Sequence, residues 1–152
     1  MPRVIAIALV CGVLMAAPRA SSAQAVGLRA GVSADPDQFF VGLHVQTAPL
    51  FSQVRFRPNV ELGFGDNVVL FALNFDLVWR APIGRHPWSI LLGGGPAANI
   101  YRHDWPDGSH SDVGGGLNIL LGVEHRRGFF SELKVGFIDS PSIKFGIGFT
   151  FR

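Results

Sequence analysis

Cysteine is nearly absent: the one residue of this type, Cys11, sits inside a leading apolar run. Beyond Ala23 there is none, so disulfides play no part in holding the remaining chain together. Charge is also scarce, at 16% of residues, against roughly a quarter in ordinary globular domains. The chain has 13 basic and 11 acidic residues, and with Arg3 and Arg19 set aside in the leading segment the remainder carries 11 of each. That balance gives no ground for a nucleic-acid partner or for attraction to an anionic lipid surface. No run after Ala23 is long and apolar enough for a membrane-spanning helix, and no helical 3.6-residue period appears there.

The leading segment reads as a cleaved secretory signal covering residues 1–23. Arg3 supplies a positive start, Val4 to Ala17 are uncharged and apolar, and Ser21-Ser22-Ala23 offer small residues for cleavage. Pro18-Arg19 ends the run short of the roughly 20 apolar residues that span a bilayer. Cys11 has Val10 before it where a lipoprotein site wants a small residue. Residues 24–152 then suit one domain.

That domain divides into eight segments of alternating character, beginning near Ala25, Phe39, Gln53, Val69, Trp88, Asp112, Phe129 and Ile143. The fourth is the clearest. Val69, Phe71, Leu73, Phe75, Leu77 and Trp79 fall on one parity, against Ala72, Asn74, Asp76 and Arg80 on the other. A two-residue period means a strand with two unlike faces. Gly65-Asp66-Asn67 marks a compact hairpin, and Arg102 to Ser111 is the longest connection, polar and rich in turn residues. Eight consecutive strands with short links predict an all-β, antiparallel, up-and-down sheet whose closure removes its edges. Pro58 and Pro96 cannot donate to a ladder and are expected at bulges or rims.

Alternation does not say which face is outside. The polar face carries Gly27, Gly31, Gly42, Gly63, Gly93, Gly95, Gly114, Gly122, Gly136, Gly146 and Gly148. A soluble surface gains nothing from so many glycines, whereas a narrow eight-stranded interior needs the room. The same face carries charges of both signs: Arg29, Arg55, Arg57, Arg80, Lys134 and Lys144 against Glu61, Asp76, Glu124 and Glu132. These are expected as a paired network in the lumen. Aromatics gather toward segment ends, with Trp79, Trp88, Phe129, Phe130, Phe149 and Phe151 at one rim and Phe39, Phe64, Phe71, Tyr101, Phe137 and Phe145 near the other. Such girdles, with an uncharged apolar face between them, point outward into lipid. The opposite arrangement, a soluble lipocalin-like carrier with the apolar face inward, is the competing architecture.

The last segment, Ile143 to Phe151, sets Ile143, Phe145, Ile147, Phe149 and Phe151 against Lys144, Gly146, Gly148 and Thr150. It resembles the terminal sorting signal of bacterial outer-membrane β-barrels, in the places of Lys144, Gly146, Phe149 and Phe151. Arg152 departs from that pattern, which usually stops on the aromatic. As a whole the chain resembles the small OmpA- and OmpX-type outer-membrane barrels. The resemblance implies a transmembrane β-barrel over residues 24–152, lipid as its surroundings, the barrel-assembly machinery as a partner through the last strand, and a monomer. It implies no cofactor. The large surface loops of that family are mostly missing.

Two sets of residues are candidates for chemistry. The lumen charges read either as a selective conduit or as pairing that fills the barrel, and an eight-stranded interior favours filling. The connection around His103, Asp104, Asp107 and His110, with Ser109, Ser111 and Asp112, holds the residue types of a hydrolytic triad or a metal site. Lipid A deacylases and acyltransferases are small barrels, but the His-any-Ser-Asn arrangement associated with the deacylases is absent. The expectation is a non-catalytic barrel without a metal. His44 and His125 are expected in the lumen or at a rim. The Gly93-Gly94-Gly95 and Gly114-Gly115-Gly116 runs have no following helix to receive a phosphate.

Overall fold

The structure, a computed structural model, describes residues 24–152, so the signal segment and Cys11 lie outside the described residues. The strands are β1 Ala25–Ala34, β2 Gln38–Gln46, β3 Pro49–Phe51, β4 Val54–Gly65, β5 Val68–Pro82, β6 Trp88–Trp105, β7 Gly108–His125, β8 Phe129–Ile138 and β9 Ile143–Phe151. Eight of them are staves of one barrel. The unexpected one, β3, is a three-residue strip against the start of β4 with a register shift, too short to show a period in sequence.

Every pairing is antiparallel. β1 pairs with β2 on one side and β9 on the other, and β2 also pairs with β4, so the sheet closes on itself. Closure gives each stave two neighbours and removes the open edges on which another chain could template. Two rims result. The lower rim carries the 83–87 and 126–128 turns and the end of β9; the upper rim carries the 35–37, 66–67, 106–107 and 139–142 turns. Asp66-Asn67 makes the β4–β5 link between the paired Gly65 and Val68, and Asn67 takes the left-handed conformation (φ 59°) that its short side chain tolerates.

Three expectations need correction here. Arg102 to Ser111 is not a loose connection: β6 and β7 continue through it as a paired hairpin, to Trp105 opposite Gly108. Pro106-Asp107-Gly108 turns the chain because proline pre-sets φ at the first corner. Pro96 lies mid-strand without a change of register. Its neighbour β5 is unpaired only at Phe75 and Asp76, where the missing N–H would otherwise have been asked to donate. Pro58 is also in register with β5, just past the last β2–β4 pair, His44 with Asn59.

The apolar parity points outward. Leu120 is fully buried while its neighbours Ile119 and Leu121 are 55% and 53% exposed. Leu28, Leu43, Leu73, Phe75 and Ile147 lie on the outer wall, whereas Arg57, Glu61, Asp76 and Lys134 are buried. The inward-facing apolar pocket of a lipocalin-like carrier is contradicted by these positions. Trp79, Trp88, Phe129, Phe149 and Phe151 face outward at the lower rim, joined by Phe51 of β3. Phe130 does not join them. It follows an outward residue on β8, so strict alternation turns it into the lumen, where it is fully buried.

Candidate functional site

The buried polar residues meet in the middle of the barrel, where β1, β4, β5, β7, β8 and β9 each contribute inward positions of like height. Glu61 on β4 is the hub. Its Oε2 accepts a hydrogen bond from Lys144 Nζ at 2.5 Å, and its Oε1 lies 3.1 Å from Arg29 Nη1 and 3.9 Å from Lys134 Nζ. Arg29 Nη1 also reaches Glu132 Oε1 at 2.8 Å, and Arg57 Nη2 donates to Glu132 Oε2 at 2.5 Å. Lys134 Nζ donates to Asp76 Oδ2 at 2.7 Å. An asparagine ladder runs beside the charges: Asn118 donates to Asn74, Asn74 to Asn59, and Asn59 to Asp76, each at 2.9 Å. Seven of the ten expected lumen charges are therefore in one connected cluster. Burying them apart would cost several kcal/mol per ion; pairing and hydrogen bonding make the arrangement tolerable.

The other three charges stand lower. Glu124 is paired with Arg80 at 3.2 Å and with Arg152, which also donates to the Arg126 carbonyl at 3.2 Å. Arg55 is half-buried near this group and makes no ion pair among the described residues, so it is not part of the network. Between the two charged layers sits Phe130. The Arg29 and Arg57 guanidinium carbons lie 5.5 and 5.3 Å from its ring centroid, within cation–π range. His44 meets its edge, with ring centroids 5.3 Å apart and an interplanar angle of 77°, and bonds Thr150 Oγ1 at 3.0 Å through Nε2. Glycine makes this packing possible. A Cβ on Gly148 would overlap the Phe130 ring, and one on Gly27 would overlap the His44 ring.

No protein-family profile and no curated protein matches this chain. Among solved structures it is similar to Neisserial surface protein A (NspA), at 14% identity and a TM-score of 0.62, covering 84% of this chain and 95% of that one. It is also similar to the N-terminal β-barrel domain of Pseudomonas aeruginosa OprF, at 15% identity and a TM-score of 0.60, covering 84% and 97%. The chain has the fold of the small eight-stranded outer-membrane β-barrels.

In this outer-membrane-type barrel, the residues of the expected sorting signal divide by parity. Lys144 and Gly146 point inward, Lys144 to Glu61; Phe149 and Phe151 point outward with ring centroids 5.1 Å apart. β9 closes the barrel against β1 over Val26↔Phe151 to Ala34↔Ile143.

The upper hairpin does not bring the histidines and serines of the candidate triad onto one face. His103 pairs with His110 across the strands, and His103 Nδ1 and His110 Nε2 lie 4.0 and 3.6 Å from Asp112. Ser109 and Ser111 pair with Asp104 and Arg102, one residue out of step with the histidines and so on the opposite face. Asp107 is in the turn. No group of three or more His, Cys, Asp or Glu residues suited to a metal is present among the described residues. Below, Tyr101 donates to the Asp139 carbonyl at 2.8 Å and Asn99 to the same oxygen at 2.7 Å, fixing the 139–142 turn to β6. His125 lies at the lower rim against Trp88, centroids 4.8 Å apart.

Asn59, Asn118, Phe130 and Thr150 were not singled out as functional in the sequence. Their inward parity was visible there. Their partners were not, because each is supplied by a different stave 15 or more residues away.

Proposed function

We propose that the chain is an integral barrel of a bacterial outer membrane, with a side-chain-filled lumen and a structural or surface-interaction role rather than a conducting one. The observation that carries this reading is the inverted burial, with ion pairs inside and leucine, valine, isoleucine and phenylalanine around the outer wall. In water so continuous an apolar belt would be an aggregation surface. In lipid it is the stable arrangement, because closure satisfies the backbone and the belt meets hydrocarbon. No charge interrupts the belt among the described residues, and one Lys or Arg there would cost about 2–4 kcal/mol at mid-bilayer.

The lower rim faces the periplasm in this reading, and β9 is the strand that the assembly machinery engages. Closure favours a monomer, since no stave within the belt lacks a neighbour. The Glu61 hub, the asparagine ladder and Phe130 occupy the axis that ions would follow. The separation of His103 and His110 from Ser109 and Ser111 supports a non-catalytic hairpin.

Planar-bilayer recordings on purified protein are expected to show no stable conductance; reproducible ion-selective openings would reverse the plugged-lumen reading. Detergent should be needed to release the protein from membranes, and release by buffer alone would reverse the membrane assignment. Replacing His103 and His110 with alanine should leave lipid A unchanged by mass spectrometry. A loss of acyl modification would establish an enzyme instead.

A further inference from the structure

The balance of 11 basic and 11 acidic residues beyond Ala23 hides a separation along the barrel axis. Arg55, Arg80, Arg85, Arg126, Arg127 and Arg152 all lie at the lower rim, where the only side-chain carboxylate among the described residues is the buried Glu124. At the upper rim Arg102 stands alone among seven aspartates, in the 35–37, 66–67 and 139–142 turns and along the hairpin (Asp104, Asp107, Asp112). The central cluster holds four cations and three carboxylates, so it does not offset either end.

Glu124 is already shared by Arg80 and Arg152. Arg85, Arg126 and Arg127 are exposed turn residues, and none of them enters an ion pair among the described residues. They stand just beyond Trp79, Trp88 and Phe129, the outward aromatics of the same rim. Aromatics of this kind settle at the level of lipid headgroups. Three unpaired guanidinium groups therefore project at the depth where phosphodiesters lie. A guanidinium binds phosphate oxygens through two parallel N–H donors.

We propose that the lower rim is a binding surface for anionic phospholipid headgroups of the adjoining leaflet, with Arg85, Arg126 and Arg127 as its phosphate contacts. The inference rests on the membrane reading above. It also revises the conclusion drawn from net charge, which cannot see segregation between two ends. Zwitterionic lipids offer the same phosphate but cancel its field with a choline or ethanolamine cation. The surface should therefore prefer a headgroup with net negative charge, such as phosphatidylglycerol. Each cation near an anionic surface strengthens association roughly fivefold.

The rim carries its own reporters in Trp79 and Trp88, and Trp105→Phe silences the indole of the upper hairpin. The full chain in vesicles of phosphatidylcholine is titrated with a small fraction of headgroup-spin-labelled phosphatidylglycerol or phosphatidylcholine, and tryptophan quenching is compared. Phosphatidylglycerol should quench at a severalfold lower fraction, and the preference should shrink toward unity as salt rises. R85Q/R126Q/R127Q should abolish the preference while still being quenched by both lipids. Equal quenching of the parent protein by the two labels, or a preference untouched by both salt and the triple variant, overturns the headgroup surface alone. Failure of the protein to float with vesicles of either composition overturns the membrane reading with it. The salt titration decides the matter even where the triple variant folds poorly.

Discussion

Glu61 accepts from Lys144 and faces Arg29 and Lys134. Its removal leaves the buried Lys144 without a carboxylate, while Arg29 keeps Glu132 and Lys134 keeps Asp76. A buried ion pair adds little over an apolar replacement, yet removing one partner costs about 3–5 kcal/mol, because the remaining charge is left without compensation. E61A is therefore expected to lower stability by that order in urea unfolding followed by intrinsic fluorescence in lipid vesicles. K144M removes a charge from the same hub and should be less damaging in the E61A background than in the parent. A coupling of about 1–3 kcal/mol in the double-mutant cycle is the expected reading; strict additivity would mean that the hub is hydrated and its charges independent. Gly148 makes the converse point. Valine there meets the Phe130 ring, and overpacking of this kind costs roughly 1–3 kcal/mol. F130A should relieve only the part due to the ring in the same unfolding measurement, because a Cβ at Gly148 also meets the backbone oxygen of Leu28.

The strands differ in how much of themselves they announce. β5 displays its two faces without interruption, because its outward positions meet one environment and its inward positions another over the whole length of the belt. The upper parts of β6 and β7 display nothing of the kind. Above the belt both faces of the hairpin are exposed, no side needs to be apolar, and a paired strand there has the composition of a loop. Phe130 was legible and misplaced: two successive residues on a strand cannot share a face, so Phe129 at the rim already required Phe130 inside. The asparagine ladder was half legible, since parity gives direction but closure chooses partners. Arg152 reaches Glu124 only because β9 ends beside the 126–128 turn.

The same difference sets what each element contributes. The hairpin tip beyond Arg102↔Ser111 buries little, and its ion pairs are exposed ones, worth at most about 1 kcal/mol each. Replacing residues 103–110 by Asn-Gly, a two-residue hairpin turn, should leave a barrel with the heat-dependent gel mobility of the parent and nearly unchanged stability. Loss of the folded band would mean that the tip is needed to close β6 onto β5. β9 lies at the other extreme, since it closes the barrel on both sides.

At the scale of the whole molecule, the charges form three populations that salt treats differently. Screening acts on exposed charges beyond a Debye length of about 10 Å at 0.1 M, falling to about 3 Å at 1 M, and acts far less on buried pairs. The unfolding midpoint, governed by the Glu61 and Glu132 pairs inside a closed wall, should thus be nearly flat with added sodium chloride. The association of the lower rim with charged headgroups should fall steeply over the same range. The two measurements test different parts of the barrel with one variable. A midpoint that dropped in parallel with headgroup association would require ions to reach Arg29, Lys134 and Lys144, and thus a continuous aqueous path past Phe130. That would reopen the conducting role, which rests on the lumen being filled by side chains rather than by electrolyte.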